Sequence, residues 1–580
     1  MAEPNKPEPD EKIPVKRCMK NCCLYHWRGK VTVFVPLILL PILVHGCLTQ
    51  SPEIICLYLL VNMAIFWITE AIPLYLTSLM PIMYLPFANY LSSDDVTKHY
   101  FSGTVVMFYG GLVVALAIEY CNLHQRIALR TIIIVGCSPR RLLAGMMIVS
   151  SFMSLWISNS AGTAMMCPIV KAVLNEMDSE KIFDVYMTQE EEHMEEGEPP
   201  HLSKVAMSFY FGVAYSATVG GCGTLIGTGT NLVFKGIYET TFPSSKEEVS
   251  FPLFMAYSIP LVVIALMITM YLSLLLTHMA LFRSGSKSGQ ALKQATRNKD
   301  QVEIVLRGRL EALGPMSCHE IQVVIIFTLM IVLLFTRKPG VFTGWSSLLS
   351  AMPVGTSSTV CICVILLFAL PTQYTFFKYC CGKAPFPGQT IDSLLSWDFL
   401  HRTLPWGLCF LLGGGFALAE ACKVSGVTKY IAKAMSGIQV LPSRLVLLLI
   451  LMFTLFCSAF TSNVVVANIV LPIYCELAFH LEEHPLLLTL PPTLITSLVF
   501  LLPVSTPPNA IICGYGNIKT KYLIKAGLLP TFWGLFWVYL NSVTWGMVVF
   551  PEMSSFPDWA KEYKNKTKAG ILLDNIPVFN

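Results

Sequence analysis

Ser158, Asn159 and Ser160 stand together inside one apolar stretch, and Thr461, Ser462 and Asn463 stand together inside another. Hydroxyls and primary amides donate and accept hydrogen bonds without carrying charge. At lipid depth such groups need partners, because an unsatisfied polar group in hydrocarbon costs several kcal/mol. The partner is a neighbouring helix, which is common in membrane bundles, or else a substrate or ion. A helix that begins at such a cluster aims its N–H groups and the positive end of its dipole at it, a setting that favours a carboxylate without any fixed cation. Two further segments, Gly227-Thr228-Gly229-Thr230-Asn231 and Thr506-Pro507-Pro508-Asn509, mix helix breakers with Thr and Asn. Breakers of this kind are either simple kinks or points where unwound carbonyls coordinate a small cation such as Na⁺.

The elements that must carry these clusters repeat. Gly110-Gly111 recurs as Gly414-Gly415, Ser158-Asn159 as Ser462-Asn463 and Pro168-Ile169 as Pro472-Ile473, all with one common separation of 304. Thr228 and Asn231 recur as Thr506 and Asn509 with a separation of 278, and the shortfall of 26 falls where an acidic insert, roughly 179–204, interrupts the first copy. The stretches 139–178 and 440–480 are each interrupted midway by their polar cluster and read as hairpins that enter and leave on one side. The remaining apolar segments, among them 74–90, 205–239 and 488–515 read as single spans, make about eleven crossings of about 20 residues each. Four complete spans lie between the crossing at 103–121 and its counterpart at 404–421, so the two copies run in opposite directions. Inverted repeats with interrupted helices at the centre are a design of secondary transporters.

The 580 residues are 54% hydrophobic and only 13% charged, which excludes an ordinary soluble protein. A net charge of +4 argues against a general polyanion binder and against nucleic acid as a partner. Basic residues cluster before the first span (Lys6 to Lys30), at Arg126 to Arg141 and at Arg283 to Arg309, so these parts are expected in the cytoplasm. Asn565-Lys566-Thr567 is an acceptor for N-glycosylation, which predicts an extracellular C-terminal tail and a plasma-membrane route. Glu70, Glu119, Lys235 and Glu420 are read at or near span ends, where snorkelling or interfacial pairing accounts for them. Gly221-Cys222-Gly223 departs from the dinucleotide-binding spacing and His319-Glu320 lacks a second His, so no enzyme is expected.

The segments WISNSAGTAMMCPI (156–169), GTLIGTGTN (223–231), LLGGGFALAEA (411–421), FTSNVVVANIVLPI (460–473) and LPVSTPPNA (502–510) resemble the divalent-anion/sodium symporter family over nearly the whole chain. EYCNLHQRIALR (119–130) and GCSPRRL (136–142) look closest to its insect citrate carriers. The resemblance implies an all-α polytopic membrane protein of about eleven transmembrane helices plus two re-entrant hairpins, a homodimer with a fixed scaffold and a transport domain that moves like an elevator. On that plan 1–30 is a cytoplasmic tail and 31–102 is scaffold. The first repeat is 103–240, with a cytoplasmic-side hairpin 139–178 and the acidic loop 179–204. Scaffold resumes over 241–403, with a basic cytoplasmic loop 283–318. The second repeat is 404–524, with an outer-side hairpin 440–480. The last span is 525–550, and 551–580 is the extracellular tail.

The same resemblance implies a carrier of citric-acid-cycle di- and tricarboxylates such as citrate and succinate, with sulfate carriage or an anion channel as distant alternatives. Ser158, Asn159, Ser160, Ser462, Asn463, Thr228 and Thr506 would bind substrate. Gly227, Thr230, Asn231, Pro507 and Asn509 would form possible cation loops. Two departures from the pattern, Ser160 where Thr is common and Thr230 where Pro is common, favour electroneutral transport without sodium; a sodium-coupled symporter is the alternative. No cofactor beyond possible sodium is expected.

Overall fold

The structure is a computed structural model that describes residues 26–179, 201–243, 249–279, 299–338, 354–374, 390–434 and 441–561, with a few short pieces between them. The described residues are helical, with no strand and two isolated bridges, Tyr186 to Leu202 and Pro371 to Ser393. Helices satisfy their own backbone, which is what an apolar sequence in lipid requires. By length and composition, nine helices among the described residues are able to cross a membrane.

The first spans are α1 (Trp27–Thr49) and α2 (Pro52–Thr69), the latter started by Pro52 in its first turn and stopped at Glu70, whose φ of 50° ends the helix. The short helices Leu74–Thr77, Met80–Phe87 and Ser93–Tyr100 follow, so the stretch 74–90 is broken rather than one continuous span. The first repeat then comprises α3 (Gly103–Tyr120), α4 (Leu123–Val135), α5 (Pro139–Ser154), α6 (Asn159–Ser179), α7 (Lys204–Gly221) and α8 (Gly229–Thr241). Ser102 and Ser203 cap α3 and α7 by accepting the N–H groups of Val105 and Ala206. The middle of the chain holds α9 (Phe251–Ser258), a π-helical turn Ile259–Ala265, α10 (Leu266–Thr277), α11 (Cys318–Arg337) and α12 (Thr356–Ala369). The second repeat comprises α13 (Gly407–Ser425), α14 (Ser443–Phe460), α15 (Asn463–Leu481), α16 (Pro485–Ser497) and α17 (Pro507–Gly516), and α18 (Thr520–Val543) follows.

The helix starts obey the sequence repeat. α5 and α14 begin at equivalent positions of the two copies, as do α6 and α15, and α8 and α17. Pro168 and Pro472 sit at equivalent points inside α6 and α15. The stretches 205–239 and 488–515, read in sequence as single spans, are each split in the structure, at 222–228 and at 498–506. Pro503, which has no N–H, interrupts the ladder in the second, and Gly223 and Gly227 weaken the helix in the first. α7 is buried along almost its whole length, as is α16, so the two broken segments form the middle of the bundle.

Packing between the repeats is reciprocal. α6 lies against α17, and α15 lies against α8, so each hairpin's returning helix meets the broken helix of the other copy. Glycines on α13 permit close packing of that helix: a side chain at Gly414 would collide with the Ser78 carbonyl, and one at Gly415 with the Asn468 amide, which donates to the Leu411 carbonyl at 3.2 Å.

Candidate functional site

Four helices begin at the four motifs: α6 at Asn159, α8 at Gly229, α15 at Asn463 and α17 at Pro507. In the first hairpin the Ser158 carbonyl accepts the Gly162 N–H at 2.9 Å, and its hydroxyl takes the Ala161 N–H at 3.4 Å. In the second, the Ser462 carbonyl accepts the Val466 N–H at 3.1 Å, the equivalent bond of the other copy. The two breaks are also conformational twins. Thr228 has φ −145° and ψ 148°, Thr506 has φ −144° and ψ 141°, and each is the extended residue before its helix.

One pair of bonds holds each break. Asn231 Nδ2 donates to the Thr224 carbonyl at 2.7 Å, and Asn509 Nδ2 donates to the Leu502 carbonyl at 3.2 Å; donor matches donor and acceptor matches acceptor in the repeat. Asn231 Nδ2 also reaches the Gly221 carbonyl at 3.1 Å, and Asn509 Nδ2 reaches Ser505 Oγ at 3.3 Å. Thr224 Oγ1 donates to the Leu155 carbonyl and accepts the Gly227 N–H, tying the first break to the first hairpin. At Gly227 a side chain would run into the Gly221 and Ser154 backbones, so glycine is required by close approach.

These contacts form one continuous site. The Asn159 amide lies over Gly221, whose carbonyl holds Asn231. Gly229, at the start of α8, lies against the Val464 side chain at the second hairpin tip. The Asn463 amide, with its nitrogen turned inward, donates to the carbonyls of Thr496 and Ser505, 2.9 Å each, beside the second break. Thr230 Oγ1 lies 3.2 Å from Ser497 Oγ at the end of α16 and 3.4 Å from Thr228 Oγ1, so the first break is linked to the second copy. Ser158, Asn159, Ser160, Ser462 and Asn463 are half-buried, whereas Asn231, Thr506 and Asn509 are buried. Ser160 pairs with Ser158, the two hydroxyls 3.4 Å apart. Pro507 occupies the first turn of α17, where the missing N–H costs nothing.

None of the residues at the tips and breaks carries a formal charge. What they offer instead is four helix N-termini and neutral donors, the chemistry of an anion receptor that can also let go. Alongside the donors stand buried oxygens with no hydrogen-bond partner among the described residues: Asn159 Oδ1, Asn231 Oδ1, Asn509 Oδ1 and Thr506 Oγ1. Ser154 Oγ and Ser458 Oγ are two more, and they too occupy equivalent positions of the two copies. Sequence reading misses both because each sits inside a helix, where a lone Ser carries no signal; their matching places in the repeat are the signal available. The same oxygens are the residues able to hold a small cation.

A cavity of about 480 Å³ opens beside this site, lined by Ala164 and Lys171 of α6 and by Ala510, Ile511, Gly514 and Tyr515 of α17. Lys235, read in sequence near a span end, is in an ion pair. It is 4% exposed, and its Nζ pairs with Glu239 at 2.6 Å and donates to the Val249 carbonyl at 3.3 Å. Glu420 pairs with Lys423 at 3.7 Å. Asn565 and the acidic run Glu190 to Glu196 lie outside the described residues.

A family model described as "Sodium:sulfate symporter transmembrane region" matches residues 25–551. The chain is 46% identical over 557 residues to "Protein I'm not dead yet" of Drosophila melanogaster, covering 95% of this chain and 94% of that protein. It is 34% identical to the Na(+)/citrate cotransporter of Mus musculus, covering 93% and 98%, and 34% identical to the Na(+)/dicarboxylate cotransporter 3 of Homo sapiens, covering 92% and 94%. Since the match covers residues 25–551, the chain belongs to the sodium:sulfate symporter transmembrane family.

Proposed function

We propose that this chain is a secondary transporter of di- and tricarboxylates of the citrate and succinate class, working without a coupled cation and catalysing no reaction. The observation that carries this reading is the meeting of four helix N-termini, at Asn159, Gly229, Asn463 and Pro507, around neutral Ser, Thr and Asn side chains. Two or three carboxylates suit several separate N-termini better than one anion of a single charge does. Relatives named as citrate and dicarboxylate cotransporters support the substrate class. Ser158, Asn159, Ser160, Ser462, Asn463, Thr228 and Thr506 contact substrate in this reading.

Transport follows from the reciprocal packing. The unit of α5 to α8 with α14 to α17 moves as one elevator against the scaffold of a homodimer in the plasma membrane. Its hairpins are re-entrant, the first from the cytoplasm and the second from outside. The N-terminus is cytoplasmic and the C-terminus, with glycosylated Asn565, is extracellular. Support for this orientation comes from the basic loops.

A second reading, sodium coupling, is favoured by the unpartnered oxygens of Asn159, Asn231, Thr506 and Asn509. Uptake of labelled citrate and succinate into proteoliposomes, with sodium or with choline in its place, separates the two. Unchanged uptake in choline is expected; uptake that needs sodium overturns the cation-independent assignment, and no uptake under any ion gradient overturns the carrier.

A further inference from the structure

A second cavity, of about 330 Å³, lies between α8 and the helices α3, α11, α12 and α13. Its walls include Thr104, Lys235, Gly236, Glu239 and Arg337. Lys235 is six residues beyond Gly229, so the cavity lies about 9 Å along α8 from the hairpin site. Its position is also related to the cavity beside Lys171: Gly236 lines one, and Gly514, its equivalent in the second copy, lines the other. The remaining walls differ, since α6 lines the cavity at Lys171 whereas no residue of its counterpart α15 lines this one, so the two are separate cavities. In the orientation proposed above, the one at Lys235 faces outward.

The charges in this cavity are unequal in mobility. Lys235 is 4% exposed and Arg337 is 8% exposed, the latter donating from NH1 to the Val354 carbonyl at 2.9 Å, so both cations are held in the wall. Among the described residues Glu239 is the carboxylate that lines the cavity, and its side chain is 43% exposed. It takes the Lys235 ammonium at 2.6 Å and, less closely, the Thr104 hydroxyl at 3.5 Å. A half-exposed partner is weakly held, whereas a buried cation left without a carboxylate is costly. A soluble carboxylate that enters the cavity can therefore replace Glu239 on Lys235 while Glu239 swings into water, and the buried ammonium is never left bare. Arg337 adds a guanidinium, whose planar fork suits a second carboxylate.

We propose that this cavity is a second anion-binding site, taking a small multivalent carboxylate at the outer mouth by exchange with Glu239 on Lys235. The identity of the anion rests on the carrier reading, but its binding does not depend on transport. The test is equilibrium binding of labelled citrate to the purified full-length chain in detergent. Wild type is expected to bind two citrates, and the Asn159→Ala plus Asn463→Ala variant one. Adding Lys235→Met to that variant abolishes the remaining binding, while adding Glu239→Gln tightens it about fivefold, the upper worth of a half-exposed ion pair. If Lys235→Met does not fold, Glu239→Gln decides. Absence of citrate from the hairpin variant, or bound citrate indifferent to the Lys235 and Glu239 changes, overturns the proposal. Failure of the carrier reading shows separately, as absent uptake by wild-type proteoliposomes with the Lys235-dependent binding intact.

Discussion

The Asn159 side-chain amide rests directly on Gly221, so closely that no β-carbon fits between them. The first hairpin tip is thus seated on the last turn of α7, and the identity of residue 221 sets where Asn159 points. Gly221→Ala is expected to push Asn159 out of the site and to abolish carboxylate uptake, with the protein still folded. Gly308→Ala is the control, since nothing lies within 4 Å of a β-carbon there. Uptake by the two variants at equal reconstitution checks this; full uptake by Gly221→Ala refutes it.

The two hairpin asparagines are predicted to differ. Asn463 satisfies two carbonyls of its own copy, those of Thr496 and Ser505, whereas Asn159 Oδ1 has no partner among the described residues. Asn463→Ala should therefore lower stability by about 1–3 kcal/mol as well as removing transport, because it orphans buried acceptors. Asn159→Ala should remove transport with little change in the unfolding midpoint. Thermal unfolding in detergent, read beside uptake, tests the contrast.

Arg126 and Glu320 form a buried pair far from the site, 3.1 Å apart and 3% and 6% exposed. Arg126 also donates to the carbonyls of Leu313 and Gly314, and Glu320 completes a capping box with Ser317 at the start of α11. Arg126→Met alone leaves a buried carboxylate unpaired and is expected to cost about 3–5 kcal/mol. Adding Glu320→Gln, which keeps the cap and removes the charge, should recover more than half of that loss. A double variant no more stable than the single one would contradict the pairing.

His278, just past the end of α10, has a pKa pushed down to about 4 by burial, with Lys204 adding repulsion. Its ring lies edge-on to Phe211 and its Nδ1 is 2.7 Å from Thr277 Oγ1. A histidine held neutral in the fold but free to protonate near pH 6.5 when unfolded gives stability that is complete above about pH 6.5. That stability declines as the pH falls toward 4, by at most about 3 kcal/mol. His278→Gln should flatten this part of the unfolding profile; an unaltered slope between pH 6.5 and 4.5 would rule out His278 as its source.

Much of the candidate site's backbone architecture was legible before any coordinates, for one reason. Positions where a helix must break inside lipid tolerate few residue types, and Gly227, Thr228, Pro507 and Asn509 are of those types. The common separations then paired the motifs, and the helix starts at Asn159, Gly229, Asn463 and Pro507 follow them. Hydropathy was less informative about continuity, and it read 205–239 and 488–515 as unbroken because apolar composition is the same on either side of a break.

The sequence by itself determined the all-helical membrane class, the repeat and the residue types at its centre, because lipid restricts backbone to helices and polar groups to places with partners. Tertiary structure alone decided which copy meets which. The seating of α6 on α17 and of α15 on α8 and the turning of Asn463 toward Ser505 depend on side chains far apart in the chain. Spacing along one helix gives no account of such contacts, because they are set by how closely two helices can approach, as where Gly229 of α8 lies against the Val464 side chain of α15.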